Sequence, residues 1–436
     1  MSPASERKTF LFTTWEGGGS VMPILTAARK LADRGHRVRV MSDRCNRFEA
    51  EAAGAAFVPW TRAPSRPDRS RESEIFRDWE APTPQEQFLC VLDRIMTGPA
   101  QAYAEDVVEE LRREPADLVV SNEMLFGVMV GCEAIGQPFA LLTCNVSLFP
   151  VEGVPPLGPG LPPPRTDEER ALHAEIAAAN RQMFNLGLPA VNRARGAFGL
   201  APLADLTDQL LAAGRTLLGT SRAFDFAPAS LPAHMRYVGP QLADPSWAAP
   251  WRSPWPEDDA RPLVLAGFST TFQNHVGVLQ NVIDAAASLP VRLLVTLGDT
   301  INRDELRPAA NTHLVHSAPH SQVMPCAALV VTHGGHGTVT RALMHGKPLV
   351  VMPHGRDQND NAVRVAARGA GLTVPPAAPA GAIRDAVAAI LADPAYTAAA
   401  SELGRRVADE AARSPVAEEL ETLACGGCTK PGTRAA

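Results

Sequence analysis

The chain has 436 residues, too many for one ordinary core and suited to two domains of roughly 200 residues each. Hydrophobic residues make up 45% of it and the net charge is −6. This is a globular composition, and it argues against a general nucleic-acid or anionic-membrane binder. Seven cysteines lie scattered apart from Cys425 and Cys428. An odd, unpaired set argues against a disulfide framework, and with no second Cys/His pair nearby the tail reads as a frayed terminus.

The amino terminus has only a short apolar stretch before charged and glycine residues. It reads as neither signal peptide nor anchor, which predicts a cytoplasmic protein without membrane insertion. Lys8 to Thr13 alternates as a strand, Trp15 to Ser20 is a Gly-rich turn, and Val21 to Arg34 has helical spacing ended by Gly35. His36 to Met41, Arg44 to Ala53 and Ala55 to Val58 continue a strand-helix-strand order. Such alternation predicts an α/β fold with a doubly wound parallel sheet.

Residues 60 to 84 are rich in Pro, Arg and Ser without a period and read as a loop above the sheet. A helix from Gln85 to Arg113, a strand Asp117 to Val120, a helix Met124 to Ile135 and a strand Phe139 to Leu142 follow. Val154 to Pro164 reads as another long loop, Asp167 to Phe198 as helical, and Thr216 to Leu218 as the strand that completes the first sheet. Between Phe224 and Arg261 prolines and tryptophans collect, as expected of an interdomain linker.

The alternation restarts with strands Leu263 to Ala266, Arg292 to Thr296 and His313 to Val315, and with a helix Val276 to Ser288. The expected organisation is therefore a first Rossmann-like domain over 1–224, a linker over 225–261 and a second Rossmann-like domain over 262–396. Helical spacing from Tyr396 to Leu423 places a terminal helix over 397–424, before a tail over 425–436.

The most informative stretch is 327–362. Ala328 to Val331 reads as a buried strand, and Gly334, Gly335 and Gly337 allow a sharp turn into a helix ending at Gly346. Unpaired backbone N–H groups and the positive end of the helix dipole converge at such a junction, which suits an anion. His333 and Thr338 flank the turn. The spacing fits neither a P-loop nor Gly-x-Gly-x-x-Gly.

Taken with Gly346, Pro348, Pro353, Asp357, Gln358, Asn361 and Ala362, this stretch resembles the donor-binding signature of family 1 glycosyltransferases, the bacterial relatives of the UDP-glucuronosyltransferases. The resemblance implies the GT-B architecture, two Rossmann-like domains facing across a cleft, with the terminal helix crossing back onto the first domain. It implies diphosphate contacts from His333 and Thr338, and contacts to the donor sugar from Asp357 and Gln358. The Gly-x-Ser/Thr loop after the first strand of the second domain places Ser269 and Thr270 on the nucleotide. Ser317 to His320 looks like the family's base-binding stretch, with Ala318 supplying backbone contacts and Ser317 standing where a tryptophan often does. No Asp-x-Asp triad is present to hold a metal, so no metal and no cofactor are expected beyond a UDP- or TDP-sugar co-substrate.

One part of the family pattern is missing. Where many members carry a histidine base and an aspartate that holds it, this chain has Ser20 and Asn122. The base is then Glu16 or Glu123, carboxylates whose burial can raise the pKa; or the acceptor is acidic enough to need little help; or the protein only binds. Three further histidines, His36, His336 and His354, read as structural. The expected activity is inverting, metal-independent transfer of a hexose or deoxyhexose to a small hydrophobic acceptor, held by loops 60–84 and 143–164. Alternatives are an impaired nucleotide-sugar binder or auxiliary partner of another transferase, and an epimerase using the same donor site.

Overall fold

The computed structural model describes residues 6–244, 250–268, 272–299 and 301–426. In the first domain β1 (Thr9–Thr13), β2 (Arg37–Ser42), β3 (Ala56–Pro59), β4 (Leu118–Asn122), β5 (Phe139–Leu142), β6 (Arg215–Leu218) and β7 (Met235–Tyr237) pair in the order β3-β2-β1-β4-β5-β6-β7. Every pairing is parallel. In the second domain β8 (Leu263–Gly267), β9 (Arg292–Thr296), β10 (Thr312–Val315), β11 (Ala327–Thr332), β12 (Leu349–Val351) and β13 (Gly371–Thr373) pair, again all parallel, in the order β10-β9-β8-β11-β12-β13.

Both strand orders reverse direction once, between β1 and β4 and between β8 and β11. A crevice opens at the carboxyl ends of the strands on either side of such a switch point. The Gly-rich turn after β1 and the Asn122-Glu123 pair at the end of β4 therefore belong to the first crevice. Phe268, Phe272 to His275 and His333 to Gly337 belong to the second.

Both faces of each sheet are covered, which is why the strands are runs of Val, Leu and Phe rather than alternating patterns. In the first domain Leu11, Val119 and Leu141 pack with Tyr103, Val107 and Met129. Phe10, Phe12, Val40 and Val120 pack on the other face with Ile24 and Leu31. Full burial of each such large side chain contributes about 1.5–3 kcal/mol. In the second domain Leu265, Leu294 and Val330 share a core with Val339, Leu343 and Val365, and this core extends to Val146 and Phe224 of the first domain. A buried ion pair reinforces that junction: Arg364 donates to Asp225 Oδ1 through Nε at 2.9 Å and Nη2 at 2.8 Å.

The structure redraws several expected boundaries. The helix expected over Gln85–Arg113 is three pieces, Pro84–Val91, a π-helical turn Leu92–Met96, and Ala100–Arg113. Gly98 and Pro99 interrupt it, since proline removes a backbone donor and clashes with the preceding turn. The stretch Asp167–Phe198 is likewise two helices, Asp167–Asn185 and Leu188–Ala197. β7 lies inside the expected linker and extends the first sheet; three residues are too few for a period to show.

The terminal helix also divides. Pro394–Ala412 packs on the second domain, where Gly404 approaches so closely that an added Cβ would lie 1.8 Å from the Leu343 carbonyl oxygen. After the break at Ser414-Pro415, Val416–Ala424 packs on the first domain through Val416, Leu420 and Leu423. Among the described residues no helix is long and apolar enough to cross a membrane.

Candidate active site

A cleft of about 600 Å³ runs between the two crevices. On its second-domain side β11 ends at Thr332, and the chain turns through His333, Gly334 and Gly335 into the helix His336–Met344. Gly334 has φ +98, and a Cβ there would lie 2.7 Å from Val351, so the turn requires glycine. His333, Gly335, Gly337 and Thr338 line the cleft, while Gly334 lies behind them. The free N–H groups of the first helical turn and the helix dipole make this wall attractive to an anion.

His333 is buried beside Phe268 and His275, with ring centroids 6.1 and 5.7 Å away. Burial, together with His354 and Arg356, pushes its pKa down to about 3, so it offers a hydrogen bond rather than a charge. Asp357 and Gln358 open the helix Gln358–Ala366 and also line the cleft. Asn361 Nδ2 donates to Asp357 Oδ2 at 2.8 Å and to the Gly334 carbonyl at 2.9 Å, tying the Asp-Gln pair to the glycine turn. Gln358 Oε1 accepts the His354 N–H at 2.6 Å. Ala318 lies at the same cleft beside Ser317. Ser269 and Thr270 lie outside the described residues; Phe268 and Phe272 flank them.

The first-domain side brings Ser20 and Asn122 to one place, but through a third residue. Cys144 Sγ lies 3.3 Å from the Ser20 carbonyl oxygen and accepts from Asn122 Nδ2 at 3.2 Å. Asn122 Oδ1 accepts the Met124 N–H at 2.9 Å. Ser20, Cys144 and Met124 line the cleft.

The two candidate carboxylates differ in environment. Glu16 is buried and fully engaged: Oε1 accepts the Gly18 N–H at 2.9 Å, and Oε2 accepts from Arg69 Nε at 3.0 Å. It does not line the cleft, although its neighbours Trp15 and Gly17 do. Glu123 is 2% exposed, and its Oε2 has no hydrogen-bond partner among the described residues. Burial pushes its pKa up to about 8, with Asp357 of the other domain adding to the rise. It does not itself line the cleft, although Met124 and Cys144 do.

Several lining residues belong to no motif in the sequence, some on helices and others in aperiodic loops. Arg341 pairs with Asp244, and its Nη2 donates to the Ala243 carbonyl at 3.0 Å, near Ser317 and Ala318. Arg356 binds Asp78 across the cleft. His336 reaches Thr220. Trp15, Met22, Phe88, Met124, Leu148 and Phe184 give the first-domain side an apolar lining. Among the described residues no group of three or more His, Cys, Asp or Glu side chains is placed to hold a metal.

Two parallel-sheet domains facing each other across a cleft, with the glycine turn at the carboxyl end of β11, give the chain the GT-B architecture. Comparison with known proteins agrees. The chain matches the family "Erythromycin biosynthesis protein CIII-like, C-terminal domain" over residues 280–423. It is 29% identical over 434 residues to 4'-demethylrebeccamycin synthase of Lentzea aerocolonigenes, covering 95% of this chain and 98% of that protein. The glycotransferase of kitacinnamycin superposes with a TM-score of 0.75 at 19% identity, over 96% of this chain and 99% of that one. The glycosyltransferase VinC, solved in complex with DTDP, gives a TM-score of 0.64 at 20% identity, over 96% and 100%. The chain thus has the GT-B fold, and its residues 280–423 are similar to the erythromycin CIII-like C-terminal domain.

Proposed function

We propose that the protein is a cytoplasmic, metal-independent enzyme that transfers a hexose or deoxyhexose, with inversion, from a TDP- or UDP-sugar to a small hydrophobic natural product. The observation that carries this reading is the single cleft, with the diphosphate turn and Asp357-Gln358 on one side and the apolar wall on the other. In this reading His333, Thr338 and the N–H groups of Gly335 and Gly337 hold the diphosphate. Ala318 meets the base, and Asp357 and Gln358 take the sugar hydroxyls. The DTDP in the VinC complex supports a thymidine nucleotide. Both guanidinium groups that line the cleft, Arg341 and Arg356, are engaged by aspartates. A neutral sugar therefore suits the site better than a uronic acid.

The structure's own chemistry favours Glu123 over Glu16 as the base. Glu16 is held in an ion pair away from the cleft, whereas Glu123 has a raised pKa and an unused oxygen. A carboxylate that does not line the cleft reaches the acceptor proton by way of one water. Ser20 positions the acceptor hydroxyl, and Asn122 with Cys144 holds that end of the wall in shape. The departing diphosphate is stabilised by the helix N-terminus and hydrogen bonds rather than by a cation.

The second reading is an impaired nucleotide-sugar binder or an auxiliary partner of another transferase, which Ser20 and Asn122 favour. One experiment separates the two: calorimetry with TDP, UDP and their hexoses, followed by mass detection of glycosylated products from a panel of phenolic and macrocyclic acceptors. Product formation supports the enzyme; tight donor binding with no product from any acceptor supports the binder.

A further inference from the structure

Three non-glycine residues among those described have a left-handed backbone: Arg77 at φ 43, Asn274 at φ 57 and Arg356 at φ 56. Each such residue is strained and persists only where its surroundings hold it. All three fall at one contact, where the first-domain loop 60–84 meets the second-domain segments 272–275 and 355–358. Trp79 stacks edge-to-face on Phe272 at 5.1 Å, and the Arg71 guanidinium lies 3.8 Å above the Phe272 ring. The guanidinium of Arg356 lies 5.0 Å from the Phe76 ring centroid.

The centre of the contact is a forked ion pair. Arg356 Nε donates to Asp78 Oδ2 at 2.9 Å and Nη2 donates to Asp78 Oδ1 at 3.1 Å. The carboxylate is 7% exposed, so water screens it little. Arg356 immediately precedes Asp357 and Gln358, so the pair fixes the residue whose backbone sets where those two side chains point. A second first-domain loop grips the same segment from another side. The Gly158 N–H donates to Asp360 Oδ2 at 2.8 Å, and Asn359 Nδ2 donates to the Gly158 carbonyl at 3.0 Å.

We infer that Asp78, a residue of the acceptor-side domain, is a positioning residue for the donor sugar: through its forked pair with Arg356 it holds Asp357 and Gln358 in the orientation that receives the sugar hydroxyls. The inference rests on the reading of the cleft as a nucleotide-sugar site. It has a functional consequence, because the loop that faces the acceptor then also tunes donor selection. A change in loop 60–84 alters which sugar is accepted without touching the diphosphate turn.

The test is calorimetry of Asp78→Asn, Asp78→Glu, Arg356→Gln and the Asp78→Asn/Arg356→Gln double variant against bare TDP and UDP and against the corresponding nucleotide hexoses, with melting temperatures alongside. In the wild type the sugar adds affinity over the bare diphosphate. Asp78→Asn is expected to reduce that added affinity by about tenfold, the usual worth of a charge-assisted pair, while bare diphosphate binding stays within about twofold. Arg356→Gln should do the same, the double variant should be no worse than Arg356→Gln alone, and Asp78→Glu should recover part of the loss. Equal weakening of bare and sugar-bearing ligands, additive losses in the double variant, or no added affinity from the sugar in the wild type each overturns the inference. A wild type that binds no nucleoside diphosphate overturns the reading of the cleft itself, a failure visible before any variant is made.

Discussion

His336 Nε2 lies 2.8 Å from Thr220 Oγ1, so the residue that directly follows the paired glycines of the phosphate turn is fastened to the other domain. The main chain of Cys144, also in the first domain, hydrogen-bonds to the same ring. Burial pushes the His336 pKa down to about 4, so the neutral ring serves as a fixed bridge. Replacing Thr220 by Val removes one hydrogen bond without changing the volume much. It is expected to weaken nucleoside diphosphate binding by about three- to tenfold. Calorimetry with a melting curve checks this; unchanged affinity removes the bridge from the donor site.

The alternation of strands and helices and the glycine turn were both legible because they rest on local chemistry. Gly334 is required by its positive φ, and the apolar runs of β8 and β11 follow from burial on both faces. β7 was not legible, since its three residues gain their strand conformation only by pairing with β6. The clasp of Asp78 and Arg356 was hidden for a related reason. Each residue lies in an aperiodic loop, 278 positions apart, and only the docking of two domains joins them. Glu16 and Glu123 looked equivalent in the sequence; the Arg69 ion pair on one and the unpartnered oxygen of the other separate them.

Replacing His333 by Ala removes a neutral ring from the end of β11. If it bonds a diphosphate oxygen, the loss should be about 1–3 kcal/mol of binding free energy for TDP or UDP, as for a hydrogen bond to a charged group. The measurement is calorimetry with whichever nucleotide the wild type binds. An affinity that does not change takes His333 out of the site.

Metal independence is expected from the way the turn is built, with a glycine-flanked helix start where a cation would otherwise neutralise the leaving group. Turnover should persist in excess EDTA. Activity that EDTA abolishes and Mg²⁺ or Mn²⁺ restores would assign the leaving-group chemistry to a metal.

Glu16 and Glu123 give opposite expectations when each is replaced by Gln. Glu16→Gln should lower the melting temperature, because Arg69 loses a charged partner in a buried setting, and it should leave the chemical step largely intact.

Glu123→Gln should lower kcat on an alcohol acceptor by about 10²–10⁴-fold while donor affinity holds, the usual worth of a general base. The pH dependence supplies two independent signs. A base with its pKa pushed up to about 8 works when ionised, so the wild-type rate should climb as pH rises through about 8, and the Gln variant should lack that limb. For stability the sign is reversed. The native state holds this proton up to about 8, whereas the unfolded chain releases it near the ordinary glutamate value of 4.5, so between those values the native state binds more protons. The wild type should therefore lose stability relative to Glu123→Gln as pH rises from 4.5 to 8, an effect measured by denaturant melts of both proteins across that range. If the stability difference changes with pH in this way but kcat and its pH profile match the wild type, Glu123 is a buried structural acid. The acceptor's own acidity must then carry the deprotonation.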